Sequence, residues 1–170
     1  MSVTFAPCTA GGPHLAGANE DVIKLLLEAG GKADQAVASV QAKLDKKIKI
    51  PGFGHRVYHT EDPRATHLRV ASEELGRRTG HLDLYEASSA VEKLVKGSKG
   101  LNANVDFYSA STYYSLGIPI DLFTPIFAVS RMSGWTAHVL EQYRNNRLIR
   151  PRADYKGKPV GTAWTPIADR

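Results

Sequence analysis

Short apolar repeats at helical spacing follow one another along most of this chain, with glycine or proline between them. In the first repeat, the apolar residues of the segment 22–29 share one helical face. Asn19 is a suitable cap before this segment, and Gly30 is a suitable stop after it. Strict apolar–polar alternation, which would indicate strands, is scarce. We therefore predict an all-α fold.

Similar patterns predict five further helices. Asp62 is a suitable cap for one of them, with Pro63 at its first helical position. Gly97 is the predicted stop of another. Residues 107–116 stay open between strand and helix, because their aromatic and β-branched residues favour a strand. The predicted helices cover residues 34–47, 63–79, 82–96, 122–129 and 131–147.

Composition excludes several classes of protein. No apolar run approaches the roughly 20 residues of a membrane helix, and we see no secretory signal. Cys8 is the single cysteine, so an internal disulfide is impossible and a cytoplasmic setting is expected. The net charge of +5 suits either nucleic acid or a small anionic ligand. No zinc-finger spacing or RNA-binding aromatic motif occurs, so we expect no nucleic acid partner.

The first candidate for chemistry is a histidine that ends a glycine-rich loop. Gly52 and Gly54 flank Phe53, and His55 follows directly. Glycines let a backbone approach a ligand closely, and a histidine at such a place can donate to a carbonyl or a developing oxyanion. A simple turn with a surface histidine is the competing interpretation.

Two arginines on predicted helices are candidates for clamping carboxylates. Arg64 follows the predicted cap Asp62, and Arg131 follows an apolar stretch and precedes Trp135. Guanidinium groups bind carboxylates in bidentate fashion. The surroundings of Arg131 predict a half-buried side chain, and charges in such places are usually paired or bind a ligand. A capped helix with surface charges is the competing interpretation for these arginines.

Asp106 is the third candidate. It lies between Asn104 and Phe107, where polar and aromatic residues meet. An aspartate in such surroundings can have a pKa suited to removing a proton from a substrate. A helix cap is the alternative, because aspartate is common there.

Five motifs together, each weak alone, resemble the citrate synthase family over roughly residues 11–160. They occur in the family's order and at its spacing: Gly52-Phe53-Gly54-His55-Arg56-Val57-Tyr58, Asp62-Pro63-Arg64, Asn104-Val105-Asp106-Phe107, Val129-Ser130-Arg131 and Ile149-Arg150-Pro151-Arg152. The resemblance implies an all-helical fold with a large domain and a small domain. It also implies condensation of acetyl-CoA with oxaloacetate to citrate, or of propionyl-CoA to 2-methylcitrate, without a metal or a permanently bound cofactor.

The resemblance also implies roles for residues. Asp106 would be the base that acts on the thioester methyl group, and His55 would polarise the carbonyl of the 2-oxo acid. Arg64 and Arg131 would bind carboxylates, and Arg150 would reach the site of a partner subunit. The residues implied in coenzyme A binding are Ile50, Pro51, Gly52, Phe53, Gly54 and Arg56.

The chain departs from the family at the histidine that stabilises the enol. Leu15 stands at the expected position, and His14 is displaced by one residue. We therefore expect either that His14 binds substrate through a shifted backbone or that enolisation is impaired.

The expected domains are an irregular segment 1–16, a small domain 17–118, and the last helices and tail of the large domain, 119–170. The family's N-terminal region, of about 200 residues, has no counterpart in these 170 residues. We therefore expect a homodimer, or association with a chain that supplies the large domain. The alternative to an enzyme is a noncatalytic CoA-binding or assembly module with the same fold.

Overall fold

The structure is a computed structural model that describes residues 17–159 and 161–169. Within these residues the chain forms helices and no strand, apart from one isolated antiparallel bridge between Phe53 and Ala103. The all-α prediction is confirmed. The helices are α1 (Ala18–Glu28), α2 (Ala33–Asp45), α3 (Pro63–Thr79), α4 (Leu82–Lys99), α5 (Val105–Ser115) and α6 (Phe123–Arg144). Short 3₁₀ turns cover Ile120–Leu122 and Ile167–Asp169.

The ends of the helices follow local chemistry, with two corrections. Asp62 caps α3 as predicted, because its side chain accepts the backbone N–H of Arg64. Asn19 does not cap α1; Gly17 holds that position and Asn19 lies buried inside the helix. Gly97 does not end α4, which continues to Lys99 and stops at Gly100. An exposed glycine inside a helix is less favourable than alanine by only about 1 kcal/mol. The packing of α4 outweighs this cost.

The segment with the ambiguous pattern is helical. Asn104 caps α5 by accepting the backbone N–H of Asp106 at 2.9 Å. The hydroxyl of Thr112 donates to the carbonyl of Tyr108 one turn earlier, at 2.7 Å. Residues 107–112 are all buried, so burial on every side of α5 outweighs their preference for strands.

The C-terminal helix is continuous, and the prediction of two helices over 122–129 and 131–147 is wrong. Nothing near Ser130 interrupts the hydrogen bonding of α6, and the Ser130 hydroxyl donates to the carbonyl of Phe127 at 2.9 Å. Pro125 lies in the first turn, where the missing N–H has no helical partner anyway.

The helices α1 to α5 pack around one apolar core. The most extensive contacts join α3 with α5, α2 with α4, and α1 with α5. Its largest fully buried side chains are those of Tyr108, Phe107, Phe123, Ile23 and Leu26. The helix α5 is thus central, which places its N-terminal residues at the edge of this core.

Within the described residues the chain divides into two compact units, one ending at residue 136 and one beginning at residue 137. The second unit holds the end of α6, an irregular stretch and the last 3₁₀ turn. The boundary expected at residue 118 stays a prediction, as does the cytoplasmic location. No helix in the described ranges is both long enough and apolar enough to cross a membrane.

Candidate active site

Two loop segments far apart in the sequence are joined beside the N-terminus of α5. The backbone N–H of Gly54 donates to the carbonyl of Asn102, and that of Asn104 donates to the carbonyl of Gly52, both at 2.9 Å. The Asn104 amide also donates to the carbonyl of Gly54 at 2.9 Å. We call this pairing of 52–54 with 102–104 the loop joint. It fixes the position of the glycine-rich loop relative to α5.

Gly52 is required at the loop joint for two reasons. Its φ is +81°, a conformation that other residues adopt only with strain. A Cβ atom there would also meet side-chain atoms of Phe107 and Val22 at 2.9 Å. The loop therefore lies against α1 and α5 as closely as a bare backbone permits.

His55 follows the loop joint and is exposed. Its Nδ1 accepts the backbone N–H groups of Val57 at 3.1 Å and Tyr58 at 3.0 Å. Because Nδ1 is an acceptor, the neutral ring carries its proton on Nε2. The Tyr58 ring stacks on the imidazole, with 4.4 Å between centroids. His55 is therefore oriented as a hydrogen-bond donor through Nε2.

Asp106 lies in the first turn of α5 and is partly buried. Its pKa responds to the other candidate residues of the first unit. Burial raises the pKa of its carboxyl. Arg131, Arg64 and His55 lower that pKa in this order, and Asp62 raises it. The net effect is a raised pKa. Asp106 is thus within electrostatic range of both arginines and the histidine.

Arg64 is already held by a carboxylate of this chain. Its Nε donates to Asp62 Oδ1 at 3.0 Å, and its Nη2 donates to Asp62 Oδ2 at 2.8 Å. These hydrogen bonds from Arg64 keep the pKa of Asp62 below its usual range, and they raise that of Arg64. The Arg64 side chain is half exposed, whereas that of Asp62 is 1% exposed.

Arg131 is exposed, so the expectation of a half-buried side chain is wrong. Phe123 and Ala128 are the buried residues of α6, and the packed part of this helix therefore ends before Arg131. The Arg131 guanidinium lies over the ring of Phe127, 5.9 Å from its centroid. Such a contact stabilises the cation without removing it from water.

Two other residues were predicted for the site. Arg150 is exposed in the second unit. His14, with Leu15, lies outside the described residues. Their predicted roles stay predictions.

Two cavities flank the loop joint, and Asn104 lines both. The first, of about 240 Å³, is the histidine cavity; it is lined by Gly54, His55, Tyr58, His59, Thr60, Asp62 and residues 100–104. The second, of about 670 Å³, is the lysine cavity; it is lined by Ala18, Asp21, Lys24, Leu25, Glu28, Lys43, residues 49–53 and Asn104.

The residues predicted to bind coenzyme A divide between these cavities. Ile50, Pro51, Gly52 and Phe53 line the lysine cavity, and Gly54 lines the histidine cavity. Arg56 is exposed and lines neither of the two. Lys24, Lys43 and Lys49 line the same cavity with Asp21 and Glu28, so positive side chains outnumber negative ones there. An excess of positive charge favours an anionic ligand.

Three features of this site escaped the sequence analysis. Asp62 was assigned only as a cap, although the Asp-Pro-Arg spacing already places a carboxylate and a guanidinium in one helical turn. Asn104 was considered only as a motif residue beside Asp106, yet it caps α5 and donates to the glycine-rich loop. Lys24 was not grouped with Lys43 and Lys49, because it lies far from them in the sequence.

A carboxyl group with a raised pKa, an oriented imidazole and two arginines are groups that a class of enzymes uses for acid–base chemistry on carboxylate substrates. No group of three or more potential metal ligands occurs within the described ranges. The comparisons with known proteins identify the class more closely. The family model "Citrate synthase, C-terminal domain" matches residues 1–152.

Individual relatives agree with the family model. Citrate synthase 2 of Bacillus subtilis is 56% identical over 99% of this chain, and 2-methylcitrate synthase of Shewanella oneidensis is 47% identical over 99%. The alignments cover 45% and 44% of those proteins, so the chain spans less than half the length of these relatives.

Solved structures give the same result. Citrate synthase of Thermoplasma acidophilum, in a ternary complex with carboxymethyl coenzyme A and oxaloacetate, has a TM-score of 0.79 and 36% identity. The match covers 99% of this chain and 46% of that one. The chain belongs to the citrate synthase family and corresponds to its C-terminal domain.

Proposed function

We propose that this chain carries the reaction site of a citrate synthase-type transferase. It would condense acetyl-CoA or propionyl-CoA with oxaloacetate to give citrate or 2-methylcitrate. The observation that carries this proposal is the position of Asp106, partly buried and within electrostatic range of His55, Arg64 and Arg131. Relatives named as citrate and 2-methylcitrate synthases support it.

Asp106 is the base of the proposed reaction. Its carboxylate takes a proton from the carbon next to the thioester carbonyl of the acyl-CoA, which leaves an enolate or enol. Burial, which raises the pKa of Asp106, makes the ionised carboxylate a stronger base. Arg131 and Arg64 lower this pKa and so favour the ionised form.

His55 acts on the second substrate. Its Nε2–H donates to the carbonyl oxygen of oxaloacetate, and it delivers a proton to that oxygen as the new carbon–carbon bond forms. The two backbone donors at Nδ1 fix the ring for this role. Arg64 and Arg131 bind the two carboxylates of oxaloacetate. Water then hydrolyses the thioester and releases coenzyme A.

The lysine cavity is the proposed site of the nucleotide end of coenzyme A. The backbone of residues 50–53 offers close approach to an adenine, and Lys24, Lys43 and Lys49 offer positive charge to the phosphates. The loop joint connects this cavity to His55, so the thioester end of the same molecule would lie toward Asp106.

The test is release of free thiol from acyl-CoA in the presence of oxaloacetate. We expect release that requires oxaloacetate and that Asp106→Asn abolishes. Thiol release that does not depend on oxaloacetate, or that Asp106→Asn leaves intact, would contradict the proposed reaction.

A noncatalytic CoA-binding or assembly module is the second candidate. One observation favours it: Leu15 stands at the position expected for a histidine. Calorimetry of coenzyme A binding, combined with the thiol assay, separates the candidates. A module binds coenzyme A but releases no thiol, even when the N-terminal region of a relative is added.

We also propose that the chain associates with a second copy or with a chain that supplies the large domain. Large apolar side chains of α6 are exposed, including Val129, Leu140 and Tyr143. Arg150 would then serve the site of the neighbour. Light scattering that shows a monomer at high concentration would contradict association with a second copy.

A further inference from the structure

Asp62 is the most deeply buried carboxylate of the candidate site, at 2% exposure. Its Oδ1 accepts both the backbone N–H and the Nε–H of Arg64 at 3.0 Å, and its Oδ2 accepts Nη2–H at 2.8 Å. Capping of α3 needs only the first of these bonds. The two bonds to the guanidinium therefore require another explanation.

The same carboxylate also lies near the other parts of the site. Besides Arg64, the backbone N–H of Val105, which precedes Asp106 at the start of α5, lowers its pKa. It lines the histidine cavity together with His55. The glycine-rich loop, α3 and α5 thus meet at one negative charge that is excluded from water.

The geometry of the ion pair leaves part of Arg64 available. A guanidinium has five N–H donors in a planar fork. Asp62 takes the edge formed by Nε and Nη2, so both hydrogens of Nη1 and one of Nη2 remain. That remaining edge is suited to bidentate binding of a second carboxylate, and the side chain is 50% exposed.

We propose that Asp62 is a positioning residue of this site. It holds Arg64 by the edge formed by Nε and Nη2, so that the remaining edge, formed by Nη1 and Nη2, meets a carboxylate of the 2-oxo acid. It also supplies a fixed negative charge beside Asp106. This inference rests on the proposed synthase function and adds to it a residue that does not touch the substrate.

The negative charge of Asp62 changes the pKa of Asp106 in one direction. The charged and titratable groups that act on Asp106 or respond to it are Arg131, Arg64, Asp62, His55 and Tyr113. The two arginines and His55 lower the pKa of Asp106, whereas burial and Asp62 raise it. Removing the charge of Asp62 also leaves Arg64 without its counter-ion. Both effects lower the pKa of Asp106.

The experiment compares the full chain with Asp62→Asn, a substitution that removes the charge and keeps a good capping residue. The Asp106 carboxyl is followed by ¹³C NMR as pH is varied, with Asp106→Asn for assignment. We expect its titration to move to lower pH in the variant. We also expect the KM for oxaloacetate to rise roughly tenfold, since Arg64 loses a charged partner.

Two further variants serve as a control and as a substitute for Asp62→Asn. Glu61→Gln removes a neighbouring carboxylate that binds Arg69 instead of Arg64, so the titration of Asp106 should not move. Asp62→Ser, also a capping residue, replaces Asp62→Asn if the latter fails to fold. An unchanged titration in the Asp62 variant, an equal shift in Glu61→Gln, or an unchanged KM would each overturn the proposal. A parent chain without thiol release contradicts the synthase function instead, because the NMR titration needs no activity.

Discussion

Replacement of Gly52 by alanine tests how the glycine-rich loop is built. A residue with a side chain at φ +81° costs about 1–2 kcal/mol of backbone strain. The new Cβ would also lie 2.9 Å from atoms of Phe107 and Val22, and overpacking of this kind costs about 1–3 kcal/mol. We expect Gly52→Ala to lower the free energy of unfolding by about 2–5 kcal/mol.

Gly54→Ala is the matched control for this prediction. Gly54 has a similar φ of +78°, but the nearest atom to its Cβ, on Leu101, would be 3.9 Å away. This variant should lose only the strain, about 1–2 kcal/mol. Urea unfolding followed by circular dichroism measures both losses. Equal losses in the two variants would show that contact with α1 and α5 is not what requires Gly52.

Three further predictions concern the site. Arg131→Leu should raise the dissociation constant of oxaloacetate by roughly tenfold or more, the scale of a lost charged hydrogen bond; calorimetry that shows no change would contradict its role. Replacing the three lysines of the lysine cavity by glutamine should lower the affinity for coenzyme A and reduce the dependence of that affinity on salt. The double substitution Lys46→Gln with Lys47→Gln should change neither, because those residues do not line the cavity. Exchanging His14 and Leu15 should raise turnover up to about 10²–10³-fold if the missing donor limits it, and should lower turnover if His14 already points into the site.

Local chemistry in the sequence predicts much of this fold. The cap at Asp62 requires only one residue and its neighbours, so the start of α3 was predicted correctly. The helix α5 could not be predicted in this way, since its burial on all sides depends on α1 and α3. Gly97 shows the same limit, because packing along α4 carries the helix past a residue that usually ends one.

The sequence named the members of the candidate site but not their environment. Motif order pointed to His55, Arg64 and Asp106, and the structure brings His55 and Arg64 within electrostatic range of Asp106; their catalytic roles stay predictions. Burial raises the pKa of Asp106, and burial is a property of the assembled core. The exposure of Arg131 likewise depends on where the packed part of α6 ends.

The loop joint has a consequence for the order of folding. Its hydrogen bond from Asn104 to Gly54 spans 50 residues, whereas α3 and α4 lie within that span and contact each other locally. Closing so long a loop is entropically unfavourable until the intervening chain is compact. We therefore expect the helical hairpin of α3 and α4 to form first and the candidate site to form late. A chain that loses the loop joint would keep most of its helical circular dichroism while His55 and Asp106 separate, so helical content alone would overestimate the fraction of molecules with an intact site.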